Sequence, residues 1–281
     1  MIILDGKKIK AEILDELKDE VSTLSEKPKL VVIQVGDNEA SNVYIRQKTK
    51  MAEYVGYKYE HIKLASDITE ESLLIEIDKL NNDENVDGIL VQMPLPSHID
   101  MNKIQNAVLS EKDVDGLSDE NAGKLFHMNG GLCPCTPLGI MELLKRYDIS
   151  IEGKHAVVVG RSNLVGKPMS VMLTNAGATV TLCHSKTKNL AMYTKMADIL
   201  IVCVGKPKLI TNDMVSDDVV IIDVGINRLD DKLVGDVDYE NVASKCAYIT
   251  PVPGGVGQMT VAMLAENVLK AYKIRKRNKH V

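Results

Sequence analysis

The sequence predicts an α/β protein of two domains in which parallel strands alternate with helices. Short uncharged runs rich in Val, Ile and Leu, as at 30–35 and 156–159, are typical of strands buried on both faces. Between such runs lie longer segments in which apolar residues recur every three or four positions, as on amphipathic helices. The chain has 281 residues, a length at which two domains are common, because single cores stop growing at about 250–300 residues.

The first half of the chain predicts an alternating order of helices and strands. We expect helices at 7–24, 40–54, 69–80 and 101–108 and strands at 30–35, 57–64 and 86–92. Strands joined through helices pair in parallel, so this order indicates βαβ units. Residues 113–131 are polar and contain glycine, which predicts a loop.

The second half predicts a Rossmann-like sheet. Thr136 and Pro137 suit an N-cap and first turn, so a helix at 138–147 should bridge the two domains. Strands are expected at 156–159, 179–183, 199–204 and 219–223, and a closing helix at 260–274. We therefore predict an N-terminal domain of 1–137 plus 262–281 and a second domain of 138–261.

A glycine turn follows the strand at 156–159. The strand stops at Gly160, and Gly166-Lys-Pro168 opens a helix with proline near its first turn. A strand that turns into a helix N-terminus directs N–H groups and the positive end of the helix dipole at one point, which suits an anion. A nucleotide phosphate is the expected ligand, although an ordinary βα turn without a ligand has the same pattern.

The end of the next strand indicates which nucleotide binds. Folds that select NAD usually place Asp or Glu there, about 20 residues beyond the glycine turn. This chain has His184, Ser185 and Lys186 instead, and Arg161 lies in the glycine turn. These side chains suit a 2′-phosphate, so NADP is favoured over NAD, unless they simply form a polar loop.

Candidate catalytic residues come from the first half. Ser41, Tyr44 and Lys48 share one face of the predicted helix. A buried lysine can have its pKa lowered far enough to act as an acid or base near neutrality. Gln92 ends the third strand, at the sheet edge where ligands gather, and Asp115 could hydrogen-bond the ring nitrogens of a heterocycle. The alternatives are a packed tyrosine, a solvated lysine and a turn-forming aspartate.

Composition excludes several classes of protein. The net charge is −5, so nothing points to nucleic acid or an anionic membrane, and no apolar run approaches the about 20 residues of a membrane span. The five cysteines are scattered, which favours a reducing cytoplasm over a disulfide framework. Cys133-Pro-Cys135 lacks the spacing of a metal pair, so we expect no metal and a structural role for both thiols.

Five motifs in order together resemble one known family. They are Tyr44-x-x-x-Lys48, Val91-Gln-Met-Pro-Leu-Pro96, Lys112-Asp-Val-Asp-Gly116, Gly160-Arg-Ser-x-x-Val-Gly-x-Pro168 and Thr250-Pro-Val-Pro-Gly-Gly-Val-Gly257. Across essentially the whole chain, the sequence resembles the bifunctional methylenetetrahydrofolate dehydrogenase/methenyltetrahydrofolate cyclohydrolase family, FolD type. The resemblance implies a catalytic domain and an NADP-binding domain with a cleft between them, acting on tetrahydrofolate derivatives as a cytoplasmic homodimer.

The resemblance also implies site residues. Lys48 would be the general acid/base, Gln92 would orient it, Tyr44 would stack on or position the folate, and Asp115 would anchor the pterin. The implied NADP contacts are Gly160, Arg161, Ser162, Ser185 and Ile226. The implied substrate contacts are Tyr44, Lys48, Val91, Gln92, Met93, Asp115, Pro253, Gly254, Gly255, Val256 and Gly257. One departure is Gln258, where the family usually has proline, which leaves the rigidity of that loop open.

Two other functions remain open at this point. A non-catalytic NADP sensor would explain the Gly160 turn but would leave Lys48, Gln92 and Asp115 as a coincidence. An oxidoreductase acting on a non-folate substrate would also fit the fold. For a homodimer, an apolar strand left at the edge of the second domain's sheet would be a pairing surface.

Overall fold

The structure is a computed structural model that describes residues 1–278. The chain forms two compact units. The six-stranded unit comprises Met1–Ala11 and Thr136–Thr260, and the three-stranded unit comprises Glu12–Cys135 and the chain from Val261 onward. The division predicted from sequence keeps residues 1–11 with the N-terminal domain, whereas here they group with the six-stranded unit, because Ile2 and Ile3 pair with a strand of its sheet.

Strands and helices alternate through most of the described chain. The strands are β1 (Ile2–Ile3), β2 (Lys29–Val35), β3 (Lys58–Leu64), β4 (Gly88–Gln92), β5 (His155–Val159), β6 (Thr179–Cys183), β7 (Ile199–Val202), β8 (Val219–Asp223), β9 (Asn227–Leu229), β10 (Lys232–Val234) and β11 (Cys246–Ile249). The α-helices are α1 (Gly6–Ser22), α2 (Glu39–Val55), α3 (Glu70–Asn82), α4 (Met101–Ala107), α5 (Asp119–Phe126), α6 (Cys135–Arg146), α7 (Gly166–Asn175), α8 (Leu190–Thr194), α9 (Tyr239–Val242) and α10 (Val256–Asn278).

The sheet of the three-stranded unit has the order β3-β2-β4, and both pairings are parallel. The central strand β2 is almost entirely buried, as its uncharged sequence predicts. Val31 and Ile33 pack against Leu73 and Ile77 of α3 in one core cluster. The pairing ends with Gln92 at the carboxyl end of β4, where ligands collect in sheets of this kind.

The sheet of the six-stranded unit has the order β1-β11-β8-β7-β5-β6, and all its pairings are parallel. From β5 the chain moves to one side, to β6, and then crosses back to β7, β8 and β11 on the other side. The strand order therefore reverses between β5 and β7, and this reversal is the switch point at which doubly wound sheets bind nucleotides. The loops that leave β5 and β7 border that point.

Several features of the structure differ from the sequence prediction. Residues 113–131 were expected as loop, but α5 lies within them, and the side chain of Ser118 caps it by accepting a hydrogen bond from Asn121 N. Polar composition and Gly123 hide this short helix from a periodicity argument. The strands β1 and β11 and the hairpin β9–β10 were not predicted because each has only two to four residues.

Helix α6 begins at Cys135, so Thr136 lies in its first turn rather than at the N-cap, while Pro137 lies in the first turn as predicted. Within residues 1–278, each helix is too short or too polar to serve as a membrane span.

Candidate active site

Helix α2 carries Tyr44 and Lys48 on one face. The side chain of Asn38 caps the helix by accepting a hydrogen bond from Ser41 N at 3.2 Å. The buried hydroxyl of Ser41 donates to the carbonyl oxygen of Met93 at 3.1 Å, in the loop that follows β4. Because its first turn is tied to that loop, α2 presents Lys48 to the carboxyl end of β4.

Lys48 and Gln92 form the central contact of the site. Lys48 Nζ donates to Gln92 Oε1 at 2.7 Å, and Gln92 is 8% exposed. Gln92 Nε2 donates in turn to the carbonyl oxygen of Met93 at 2.8 Å. This second bond fixes the orientation of the amide, since only the oxygen can accept from an ammonium group. The sequence predicted Gln92 at this sheet edge, and the family resemblance implied its contact with Lys48.

Burial sets the protonation behaviour of Lys48. Desolvation lowers the pKa of Lys48 below its ordinary value, although the nearby charge of Asp115 acts to raise it. Desolvation likewise raises the pKa of Asp115, and attraction to Lys48 partly offsets the shift. A lysine with a lowered pKa can exchange protons closer to neutral pH than a solvated lysine can.

Lys112 anchors one side of the segment that carries Asp115. Its side chain is 2% exposed, and Nζ donates to the carbonyl oxygens of Leu80, Asn81 and Asp83 at 2.9, 2.7 and 2.8 Å. These three bonds satisfy carbonyls at the end of α3, which a helix leaves without internal partners. Desolvation, with the charge of Arg275, lowers the pKa of Lys112 to about 8.

Asp113 and Gly116 fix the other side of the same segment. Asp113 accepts hydrogen bonds from Gly116 N at 3.0 Å and Ser118 N at 2.9 Å. Gly116 has a φ of +68°, and a Cβ there would lie 2.3 Å from the carbonyl carbon of Cys133, so only glycine fits. The motif is thus a scaffold that holds Asp115 near Lys48.

Cys135 and Asn267 complete the surroundings of Asp115. Cys135 is 4% exposed, and its thiol donates to Val114 O at 3.3 Å. Desolvation and the charge of Asp115 raise the pKa of Cys135 well above its usual range, so the thiol stays protonated. Asn267 of α10 donates to Val114 O and Cys133 O, each at 2.9 Å. Sequence reasoning missed Asn267, because nothing in a helical segment 152 residues from Asp115 marks it as a neighbour.

The other predicted contacts of the three-stranded unit differ in accessibility. Tyr44 is 46% exposed and presents its ring to solvent. Val91 is 7% exposed and belongs to the core cluster under the sheet, so only its backbone is available to a ligand. Met93 is partly buried.

The glycine turn of the six-stranded unit is closely packed. Gly160 has a φ of +127°, and a Cβ there would lie 2.4 Å from the carbonyl oxygen of Cys203. A Cβ on Gly166 would lie 2.0 Å from the carbonyl oxygen of Gly160. Both glycines are therefore required, and they leave Arg161 and Ser162 exposed beside the start of α7. This cradle fits a dinucleotide phosphate.

Residues 184–187, which follow β6, include no carboxylate. His184 Nδ1 accepts from Lys186 N at 3.1 Å, and Thr187 Oγ1 accepts from His184 N at 2.9 Å. This turn leaves Ser185 and Lys186 exposed, as a contact to a 2′-phosphate requires.

The predicted substrate loop, residues 253–257, also belongs to the six-stranded unit. Gly254 has a φ of +112°, and a Cβ on Gly255 would lie 2.6 Å from the carbonyl oxygen of Pro251. Gln258 N donates to Gly255 O at 3.1 Å, a bond that proline could not make, and Gln258 Oε1 accepts from Lys10 Nζ at 3.3 Å. Gln258 therefore adds hydrogen bonds where the family that the sequence resembles usually has the rigid ring of proline.

Comparison with known proteins decides the family. Residues 4–115 match the model for the catalytic domain of tetrahydrofolate dehydrogenase/cyclohydrolase, and residues 134–276 match the model for its NAD(P)-binding domain. The chain belongs to the tetrahydrofolate dehydrogenase/cyclohydrolase family. A bifunctional protein FolD from Campylobacter hominis is 53% identical over 279 residues, which are 98% of each chain.

Solved structures agree with this assignment. The bifunctional enzyme FolD from Campylobacter jejuni is 51% identical, with a TM-score of 0.96 over 98% of this chain and 99% of that chain. The Trypanosoma brucei dehydrogenase-cyclohydrolase, which was solved with NADP and an inhibitor, is 35% identical, with a TM-score of 0.94 over 99% of each chain. The family, the α/β fold, the dehydrogenase/cyclohydrolase assignment and an NAD(P)-binding domain predicted from sequence are confirmed.

Proposed function

We propose that this family member carries out its cyclohydrolase chemistry with Lys48 as general acid/base. The enzyme oxidises 5,10-methylenetetrahydrofolate to the 5,10-methenyl compound with NADP and then hydrolyses that compound to 10-formyltetrahydrofolate. The observation that carries the proposal is the 2.7 Å bond between Lys48 Nζ and Gln92 Oε1, on a lysine whose pKa burial lowers. A non-catalytic sensor would have no use for this geometry.

In the first reaction, the protein binds and orients the folate. NADP bound at the glycine turn would supply the hydride acceptor for this oxidation. Tyr44 offers an exposed aromatic face to the substrate, and Asp115 accepts hydrogen bonds from the pterin. No proton is required from Lys48 in this step, so orientation supplies the catalysis.

In the second reaction, water attacks the carbon of the methenyl cation. Lys48 takes a proton from the attacking water and returns one to N5 as the bond between that carbon and N5 breaks. Gln92 accepts a hydrogen bond from the ammonium form and holds Nζ in place through the turnover. The balanced result is 10-formyltetrahydrofolate and one released proton.

The cofactor contacts that we propose are Gly160, Arg161, Ser162, Ser185 and Ile226. The tight glycine turn, with the exposed residues Arg161, Ser162 and Ser185, supports them, as does the exposed side chain of Ile226. Arg161 and Ser185 suit the 2′-phosphate of NADP, because an arginine fork and a hydroxyl both donate to phosphate oxygens. The absence of a carboxylate after β6 removes the group that would repel this phosphate.

The substrate contacts that we propose are Tyr44, Lys48, Val91, Gln92, Met93, Asp115 and residues 253–257. The three-stranded unit then provides the acid/base chemistry, and the six-stranded unit provides the cofactor site. For the dehydrogenase activity, the enzyme is incubated with NADP and 5,10-methylenetetrahydrofolate while the reduced-nicotinamide absorbance is followed. We expect the band to appear with this substrate, whereas activity with only a non-folate alcohol would refute the proposal.

We also propose a cytoplasmic homodimer. All five cysteines are free thiols in the structure, which suits a reducing compartment. Among the strands of residues 1–278, β6 lies at one edge of its sheet and has a strand partner on one side only, and such edges pair with other chains. Sedimentation equilibrium should give twice the chain mass, and a monomer at micromolar concentration would contradict the dimer.

A further inference from the structure

Two buried carboxylates of the six-stranded unit take no part in the chemistry proposed above. Asp236, just beyond β10, is 0% exposed, and Asp223, the last residue of β8, is 3% exposed. An ionised carboxylate is costly to bury unless hydrogen bonds replace its water. The partners of Asp236 therefore indicate what it is for.

Asp236 binds two separate segments of the chain. Its Oδ2 accepts from Val204 N at 2.7 Å and Gly205 N at 2.9 Å, and its Oδ1 accepts from Lys206 N at 2.8 Å. The same Oδ1 accepts from Asn227 Nδ2 at 2.9 Å. Three consecutive backbone N–H groups that point at one spot form an anion-binding concavity, and here the chain's own carboxylate fills it.

Both segments border the proposed cofactor site. Val204–Lys206 follows β7 at the switch point of the sheet, and the preceding residue, Cys203, is the one against which Gly160 packs. Asn227 is adjacent to Ile226, a proposed NADP contact. One carboxylate thus links the loop behind the glycine turn to the base of the β9–β10 hairpin.

The donors do not need this carboxylate in order to be satisfied. Val204, Gly205 and Lys206 are exposed residues of a surface loop, so the loop could find water for its N–H groups by moving away from Asp236. A buried anion that collects donors from an exposed loop fixes the position of that loop. The four hydrogen bonds to Asp236 therefore serve to fix the position of the loop rather than to satisfy donors that would otherwise lack partners.

Asp223 and two glycines make room for this arrangement. Asp223 accepts from Asp236 N and Val237 N, each at 2.9 Å, so the backbone of Asp236 is itself held. A Cβ on Gly225 would lie 2.1 Å from Asp236 Oδ1, and one on Gly235 would lie 1.8 Å from Asp223 Oδ2. Any side chain at Gly225 or Gly235 would overlap one of the two carboxylates, so both positions require glycine.

We propose that Asp236 is a positioning residue for the NADP site. It holds Val204–Lys206 and Asn227 in the geometry in which Gly160 and Ile226 receive the cofactor. The inference rests on the proposed cofactor contacts and adds a residue that does not touch NADP.

The test is Asp236→Asn, with the two activities of the enzyme assayed separately. Asparagine keeps the shape of the side chain but replaces one carboxylate oxygen with an NH₂ group. Because NH₂ cannot accept hydrogen bonds, the N–H donors that face it lose their partner. The KM for NADP should rise about tenfold or more, while the KM for methylenetetrahydrofolate stays within about twofold. Cyclohydrolase kcat/KM, which needs no nicotinamide, should also stay within about twofold of the wild-type value.

Asp238→Asn is the matched control. Asp238 lies two residues further on and bonds Asn241 Nδ2 at 2.6 Å and the ammonium group of Lys208 at 3.3 Å. Its replacement should leave the KM for NADP unchanged. If Asp236→Asn does not fold, Asn227→Ala removes one of the four donors and should raise the KM for NADP about threefold.

The proposal is wrong if the folded Asp236→Asn enzyme keeps a wild-type KM for NADP, or if both activities fall in parallel, as general destabilisation would cause. If Asn227→Ala is used instead, an unchanged KM for NADP likewise excludes the positioning role of Asp236. Arg161→Ala distinguishes an error in the positioning role of Asp236 from an error in the proposed cofactor contacts. If Arg161→Ala raises the KM for NADP and Asp236→Asn does not, only the positioning role is wrong; if neither does, the contacts themselves are wrong.

Discussion

Replacing Gln92 with glutamate should shift the pH at which Lys48 becomes an effective base. The change keeps the length of the side chain but places an anion where Gln92 Oε1 now lies, 2.7 Å from Lys48 Nζ. An adjacent anion favours the ammonium form, so the pKa of Lys48 should rise from its lowered value.

The size of the shift follows from that distance. Coulomb's law at 2.7 Å gives about 6 kcal/mol for two unit charges at an effective dielectric constant of about 20. Desolvation of the new carboxylate opposes this attraction, and close opposite charges shift pKa values by about 1–3 units in practice. At a fixed pH below the pKa, the fraction of neutral Lys48 should fall about tenfold to a thousandfold.

The assay is the pH profile of cyclohydrolase kcat/KM, with the uncatalysed hydrolysis subtracted at each pH. This parameter reports the essential groups of the free enzyme. Its rising limb should move by at least about one unit toward higher pH in Gln92→Glu. Gln92→Met is the neutral control, and it should not move the limb upward. If the Gln92→Glu profile superimposes on that of the wild type, Lys48 is not the titrating base.

Two further predictions concern the six-stranded unit. Arg161→Ala and Ser185→Ala should each raise the KM for NADP about tenfold while changing the folate KM little, because a lost phosphate contact weakens binding of the cofactor alone. Steady-state titration of both substrates measures the two KM values. Equal increases in both would exclude the assignment. Desolvation by burial raises the pKa of Asp223 to about 6. The folded state therefore binds more protons than the unfolded state between about pH 4 and 6. The contribution of Asp223 to the free energy of unfolding is lost as the pH rises through that window. Relative to Asp223→Asn, the wild-type unfolding free energy should therefore fall by about 3 kcal/mol across the window in urea titrations, and a constant difference between the two proteins would contradict the shift.

Strong local patterns made much of the fold predictable from sequence. The buried run of β2 and the apolar stripe of α2 each identify their element without tertiary information. Because parallel strands end at one edge, Gln92 could be placed at that edge from sequence, whereas its link to Lys48 was implied only by the family resemblance. Short elements could not be found in this way, since β1 and β11 are strands only because each has a neighbour to pair with.

The surroundings of the site were harder to predict than its main residues. Asp115 is held by Lys112 through carbonyls about 30 residues away in the sequence, a contact that no local pattern encodes. Cys135 was assigned a structural role, yet its thiol lies within electrostatic reach of Lys48 and Asp115. Asn267 carries no motif at all. Long-range polar contacts depend on how elements pack, which periodicity does not report.

The central claim is that Lys48 moves protons for hydrolysis and is not needed for oxidation. The most direct measurement is the ratio of the two turnover numbers in one preparation of Lys48→Met. We expect cyclohydrolase turnover to fall by about 10²–10⁴, while dehydrogenase turnover stays within about tenfold of the wild type. Full cyclohydrolase turnover in Lys48→Met would contradict the account.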